Sequence, residues 1–515
     1  MAEETAIGST PPGPAAAAVE PPSIDDVILA RSISTGGRSL RAHAARGTVL
    51  NAAFLVGLTT LGLLKGFVVA AFLTRQDYGI WGILVVGLGT LEWLKGSAIS
   101  DKYIQQDESD QELAFQRAFT FELIIACGFM VLVVLVVPLL ALLYDQPRLI
   151  APGMLAAFLL IPATALESPL WVFYRRMEFA RQRTLEAVDP LTGIVVTIAL
   201  AIAGFGYWSL VIGTIAGAMA GAVVALRTVP YRLALRYDRE ALRRYVSFSW
   251  PLFISGGAGL IVAQSSLLVS NAVLGLGAVG VISLTTSITS YADQLDGIIT
   301  MTLYPAICAV RDRTDLLFET FVKSNRLALM WGMPFGVGLA LFAPDLVRFG
   351  LGHKWAPAIR LIQVFGLIAA SHQVAFNWTA YLRARGDTRP IAAVNVVVMT
   401  VFVATMIPLT ILDGLSGFAI AMAITAAVAL AGRTYVLVRI FPGFGMIRHS
   451  ARAVAPSIPA AAAVLAMRLL ETGRETRLIA LAEVAVYVIV TLLATLAFER
   501  PLLREVVGYL RSQPA

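Results

Sequence analysis

Apolar runs of about twenty residues, separated by short polar breaks, recur along almost the whole chain. Each is long enough to cross the ~30 Å hydrocarbon core of a bilayer. The pattern predicts fourteen spans, at residues 48–73, 78–100, 119–143, 150–173, 186–205, 207–226, 247–272, 278–305, 325–343, 358–381, 390–411, 415–438, 453–470 and 478–498. Backbone groups inside lipid find no water, so each span is read as an α-helix; a barrel would show alternating strands of about ten residues. The break at Gly204–Tyr207 is so short that its two flanking spans can also be read as one.

Composition agrees with the pattern. The 515 residues are 58% hydrophobic and 14% charged, with a mean hydropathy of +0.77. A soluble domain would carry roughly a quarter charged residues. The net charge of +7 sits in short gaps between spans, so it carries no nucleic-acid signal. The gaps also set the orientation. Arg175, Arg176, Arg181 and Arg183, then Arg227 to Arg244, Arg311 and Arg313, Arg383 to Arg389, and Arg439 to Arg452 fall on one side. The other side holds only Arg75, Arg148, Arg348, Lys354, Arg474 and Arg477. Positive residues mark the cytoplasmic face, so both termini are expected inside. Residues 1–46, rich in Ala, Pro, Ser and Gly, are expected to be a disordered cytoplasmic tail rather than a signal peptide. Cys127 and Cys308 lie in or beside spans and suggest neither a disulfide nor a metal site.

The chain repeats itself. Leu73, Gly79 and Ile80 fall on Leu274, Gly280 and Val281, an offset of 201. In that register Glu92 falls on Asp293 and Lys95 on Asp296. Pro138 and Pro152 bracket the third-to-fourth connection as Pro344 and Pro357 bracket the ninth-to-tenth. Spans 1–6 therefore match spans 7–12. An even number of spans per repeat relates the halves by an axis along the membrane normal. The expected organisation is an all-α polytopic membrane protein. A six-helix lobe at 47–226 is followed by a basic cytoplasmic linker at 227–246 lying along the surface, and a second lobe at 247–440. Two extra helices and a tail occupy 441–515.

The LTRQDYGIWGI junction, the YIQQDESDQELAFQ segment after it, the LYPAICAVRDR end of span 8 and the GHKWAPAIRLIQVFGL start of span 10 resemble the Wzx/WzxC-like polysaccharide transporters. These form a branch of the multidrug/oligosaccharidyl-lipid/polysaccharide exporter superfamily. The resemblance covers residues 45–440 in order. It implies a flippase for a polyprenyl-diphosphate-linked oligosaccharide in a bacterial inner membrane, serving exopolysaccharide, capsule or O-antigen export. Such a protein works among membrane lipids and beside a polysaccharide polymerase and assembly proteins. Relatives in the superfamily export drugs or flip the peptidoglycan precursor, so those remain the alternatives.

Charges inside spans are expensive and ask for a reason. Lys65 lies about 12 Å from the outer end of span 1 at 1.5 Å per residue. Either it faces a central cavity and contacts a diphosphate, or it pairs with an acid such as Glu167 or Glu122. Glu92 and Lys95 share a helical face and can neutralise each other. Asp293 and Asp296 have the same spacing but the same sign, and two such carboxylates do not both stay ionised without a cation or proton. With Glu92 they are the candidates for H⁺ or Na⁺ coupling; the alternative is a brace to Lys95 or Lys65. Arg326, Arg360, Gln264 and Asn271, with Lys65 and Lys95, are the candidate cavity residues. Arg326 and Arg360 also read as interfacial anchors, and Gln264 and Asn271, sharing a face, as bonds across helices. No phosphate-binding glycine loop, zinc spacing or nucleophile elbow occurs, so no enzyme and no organic or metal cofactor is expected. The short outer loops also argue against glycosyltransferases, polymerases and ligases.

Overall fold

The computed structural model describes residues 40–95, 108–176, 178–240, 257–293, 313–385, 389–441, 454–471 and 476–504, with the single positions 99, 103, 296, 307, 387, 445 and 451. Most of the predicted N-terminal tail and parts of spans 7 and 8 lie outside them. Among the described residues all regular structure is helical. The helices are α1 Leu40–Phe72, α2 Arg75–Lys95, α3 Gln111–Leu143, α4 Ile150–Ala157, α5 Leu160–Arg175, α6 Phe179–Ile202 and α7 Trp208–Thr228. There follow α8 Gly257–Leu274, α9 Leu276–Thr289, α10 Thr314–Asp345, α11 Ala358–His372, α12 Trp378–Ala384, α13 Arg389–Ile440, α14 Ser457–Leu470 and α15 Arg477–Phe498.

These make fourteen passes. α1, α2, α3, α6, α7, α8, α9, α10, α14 and α15 are single passes. Two more are broken, α4 with α5 and α11 with α12, and α13 holds the last two. The two passes of α13 part at Asp413 and Gly414, where Gly414 takes φ +58°. The short break at Gly204–Tyr207 does separate two helices. Gly204 and Gly206 both adopt left-handed φ, +85° and +56°, a conformation open to glycine without a Cβ clash. That lets the chain reverse within a few residues.

The lobes meet at the end of the bundle that carries the arginine-poor loops, here the outer end. α2 crosses α9 at the repeat glycines themselves. A Cβ on Gly79 would strike the carbonyl of Leu276, and one on Gly280 would strike the carbonyl of Arg75. The repeat offset of 201 carries residue 75 to 276 and residue 79 to 280, so it exchanges the two contacts. The pseudo-two-fold axis therefore passes between these two backbones. In lipid, helices gain little from hydrophobicity and associate through such close packing of small residues. The largest apolar cluster surrounds this crossing and draws on both lobes, with Leu73, Tyr78, Ile80, Val281, Ile282, Trp355 and Phe418 among its members. At the inner end the described residues of the two lobes form separate cores, one around Tyr103, Phe115 and Phe121, the other around Phe321, Tyr381 and Phe441.

The two helices outside the repeat are fastened to α10. Arg468 of α14 pairs with Asp345 and, at 2.9 Å, with the fully buried Glu483 of α15. Tyr487 donates its hydroxyl to the Pro334 carbonyl at 2.8 Å. One turn further along α10, Gly338 has no side chain and lets the Tyr487 ring lie close against the helix. The linker beyond α7 runs along the inner surface of α3. Gln116 donates to the Arg232 carbonyl (2.9 Å), and the amides of Arg232 and Arg236 donate to Glu112 (3.0 Å) and Thr120 (2.8 Å).

Candidate functional site

The second lobe holds a polar centre where two helices break. α9 gives way at Ser290 to a single 3₁₀ turn, Ser290–Ala292, that delivers Asp293. α11 stops at His372, and Ala375 sits at φ +61° before α12 begins. No Pro or Gly marks this second break. It is held by side chains instead. Arg433, buried in the second pass of α13, donates to the carbonyls of His372 (2.8 Å) and Val374 (3.2 Å). Asn325 of α10 donates to the Gln373 carbonyl at 2.8 Å. The His372 and Val374 carbonyls thus regain donors, and the Gln373 carbonyl, which keeps a long bond from the Phe376 amide (3.4 Å), gains a second, as backbone in a membrane must.

The break brings His372 and Gln373 against the acid pair. His372 Nδ1 lies 3.3 Å from Asp293 Oδ1, and Gln373 Nε2 donates to the same oxygen at 3.0 Å. One ligand atom each from Asp293, Asp296 and His372 lies within 4.8 Å of the others. That spacing suits one small cation or one shared proton. Asp293 and His372 are exposed, whereas Asp296 Oδ1 is sealed from solvent without a hydrogen-bond partner among the described residues. The C-terminal end of α11 adds the negative end of a helix dipole to the same place. Arg433 interacts electrostatically with both acids and offsets one of their two charges.

In the first lobe, Lys65 is half-buried on α1 and feels the opposite charge of Asp189 on α6. Asp189 can approach because Gly217 and Gly221 of α7 leave room for it; a Cβ at Gly217 would strike its carboxylate. One turn away on α1, Gly62 faces the hydroxyl of Tyr291 from the second lobe, 3.0 Å from where a Cβ would stand. Lys65 and the acid centre therefore belong to opposing lobes near their line of contact.

Other candidates fall elsewhere. Gln264 and Asn271 hydrogen-bond across the lobes, the second of the two readings their shared face allowed. Gln264 donates to the Val86 carbonyl (3.2 Å) and accepts from Tyr144 (3.4 Å), and Asn271 donates to the Tyr144 carbonyl (2.8 Å). Arg326 pairs with Glu499 just beyond α15, which turns it toward the added helices instead of a central cavity. Arg360 is exposed and donates to Ser416 at 3.2 Å, an anchor at the outer end. The side chains of Glu92 and Lys95 lie outside the described residues. Reading the sequence missed Arg433, Asn325 and Gln373; Arg433, a lone arginine inside a span, was the signal available.

The family described as polysaccharide biosynthesis protein matches residues 68–360. The chain is 25% identical over 346 residues to the lipopolysaccharide biosynthesis protein WzxC of Escherichia coli (strain K12), covering 64% of this chain and 68% of that one. It is 23% identical over 316 residues to the succinoglycan biosynthesis transport protein ExoT of Rhizobium meliloti (strain 1021), covering 59% and 61%. The solved structure of the lipid II flippase MurJ, in an inward closed conformation, matches with a TM-score of 0.65 at 13% identity, over 88% of this chain and 100% of that one. An inward-facing MATE multidrug transporter of the MOP superfamily matches with a TM-score of 0.59 at 15% identity, over 80% and 98%. Those two likenesses show the fold, fourteen helices in two lobes plus a pair. The family match covers more than half of the sequence, and the chain belongs to the polysaccharide biosynthesis protein family.

Proposed function

We propose that this chain is a flippase that carries a polyprenyl-diphosphate-linked oligosaccharide across a bacterial inner membrane by alternating access. Family membership within a two-lobe fold like that of solved transporters is the observation that carries this reading. The lobes are joined at the outer end and keep separate cores at the inner end. That arrangement suits a site loaded from the cytoplasmic side. Lys65 supplies the cation for the diphosphate, with Asp189 as the partner it exchanges for substrate. The sugars ride in the cleft while the polyprenyl tail stays in lipid. Both termini lie in the cytoplasm, as the arginine asymmetry of the loops supports. A polymerase and assembly proteins take up the product.

The acid centre of the second lobe supplies the coupling. Asp293, Asp296 and His372 take H⁺ or Na⁺, with Arg433 offsetting part of their charge. The test is to extract lipids from cells depleted of the protein and quantify polyprenyl-diphosphate-linked oligosaccharides. A defined lipid-linked oligosaccharide accumulates while the surface polymer is lost. Unchanged lipid intermediates together with new drug sensitivity would replace this reading with a cation-coupled exporter of amphipathic small molecules, centred on the same acids.

A further inference from the structure

Four hydrogen bonds across the outer lobe contact share one direction, while the Tyr144 hydroxyl donates the other way, to Gln264. Trp355 and Lys354, on the short turn before α11, donate to the carbonyls of Ala70 (2.8 Å) and Ala71 (2.7 Å) at the C-terminal end of α1. Asn271 at the end of α8 donates to the carbonyl of Tyr144, the residue that caps α3. Gln264 donates to the carbonyl of Val86 on α2. In all four, a second-lobe side chain gives the proton and a first-lobe main-chain carbonyl takes it. Three of the four carbonyls lie at the end of a helix, where the next turn no longer supplies an amide. Trp355 is fully buried, and its indole meets the ring of Tyr78 edge-on at 5.2 Å. Tyr78 in turn donates to the Gly66 carbonyl of α1 at 3.2 Å.

From this geometry we propose that Trp355, Lys354, Asn271 and Gln264 form a latch that closes the outer gate, seated on the Gly79–Gly280 crossing. The chemistry suits reversible closure. Closed, the latch satisfies helix-end carbonyls inside the lobe contact. Open, those carbonyls at the membrane surface accept water, so opening leaves no buried acceptor bare. No acid–base pair is among the four contacts, so salt screens the latch only through the Lys354 ammonium. The glycine crossing makes closure all-or-none, because backbone meets backbone there and any Cβ holds the lobes apart. The latch sets the balance between inward- and outward-open forms, and with it the rate at which a carried molecule is released outside.

The proposal rests on the alternating-access reading, but its test measures distance, not transport. Spin labels at Arg148 on the first lobe and Asp413 on the second, in a full-length chain with Cys127 and Cys308 replaced by Ser, report the outer separation by pulsed electron resonance in nanodiscs. The expected result is a short distance in the parent protein. In Trp355→Phe, which keeps an aromatic ring but removes the donor, a longer distance gains about five- to tenfold in population, as expected for one buried hydrogen bond. Gly280→Ala shifts the balance further. Asn271→Ala gives the third reading if Gly280→Ala does not fold. Distributions unchanged from the parent in folded Trp355→Phe and Asn271→Ala overturn the latch. Export lost with unchanged distances counts against the latch as the controlling step but leaves the flippase reading standing, whereas normal lipid intermediates with shifted distances overturn the flippase reading and keep the latch.

Discussion

The two lobes share a fold but not a chemistry. The first lobe places one base, Lys65, beside one acid, Asp189. The second places two acids, an imidazole and a guanidinium around two helix breaks. A single ion pair can open to a charged ligand, since the ligand's phosphate replaces the carboxylate. A centre with two acids and one fixed arginine is left one positive charge short and fills the deficit with a small cation or proton. The repeat thus gives two like scaffolds whose side chains at unmatched positions differ, the difference on which the proposed division into a substrate lobe and a coupling lobe rests.

The comparison is broken most directly at the acids. Asp293→Asn with Asp296→Asn abolishes export, read as accumulated lipid-linked oligosaccharide; export at the parent level would remove coupling from the second lobe. Arg433→Ala comes next. It strips the donor from the buried Val374 carbonyl and the half-buried His372 carbonyl and lowers stability by about 2–4 kcal/mol, measured by thermal unfolding in detergent. Arg433→Lys recovers only part of this, because both bonds come from one guanidinium nitrogen, Nη1, whose fixed position a flexible ammonium does not reproduce. Lys65→Gln then separates substrate site from brace. As a substrate contact it lowers export about tenfold, the scale of one charge-assisted hydrogen bond, while Asp189→Asn leaves export intact or raises it. Equal losses in both variants would make the pair a brace. The smallest effect belongs to Arg360→Gln, an exposed anchor, for which stability changes by less than about 0.5 kcal/mol and export stays at the parent level.

Much of the architecture was legible because membranes constrain sequences so tightly. Span lengths, the arginine asymmetry and the 201-residue offset follow from bilayer thickness and duplication. Even the doubtful break at Gly204–Tyr207 carried its own answer in two glycines suited to positive φ. The site was legible only in part. The Asp293–Asp296 spacing announced itself, but the break after His372 did not, since it contains neither Pro nor Gly and depends on Arg433 and Asn325 from distant passes. Lys65 was visible while its link to Asp189 was not, because the two lie 124 residues apart on helices whose packing the hydrophobic pattern does not specify. Arg326 misled because a basic residue near a span end looks alike whether it faces a cleft or a neighbouring helix. Its partner, Glu499, lies 173 residues away.

The crossing of Gly79 and Gly280 has a consequence for oligomerisation. Residue 75 meets residue 280 as residue 276 meets residue 79, so the contact is the same surface used twice about an axis. That is the form of an isologous dimer interface. A half-length chain with this helix would make the contact with its own copy. Here the two copies are joined in one polypeptide, and what would be a subunit interface has become an internal door.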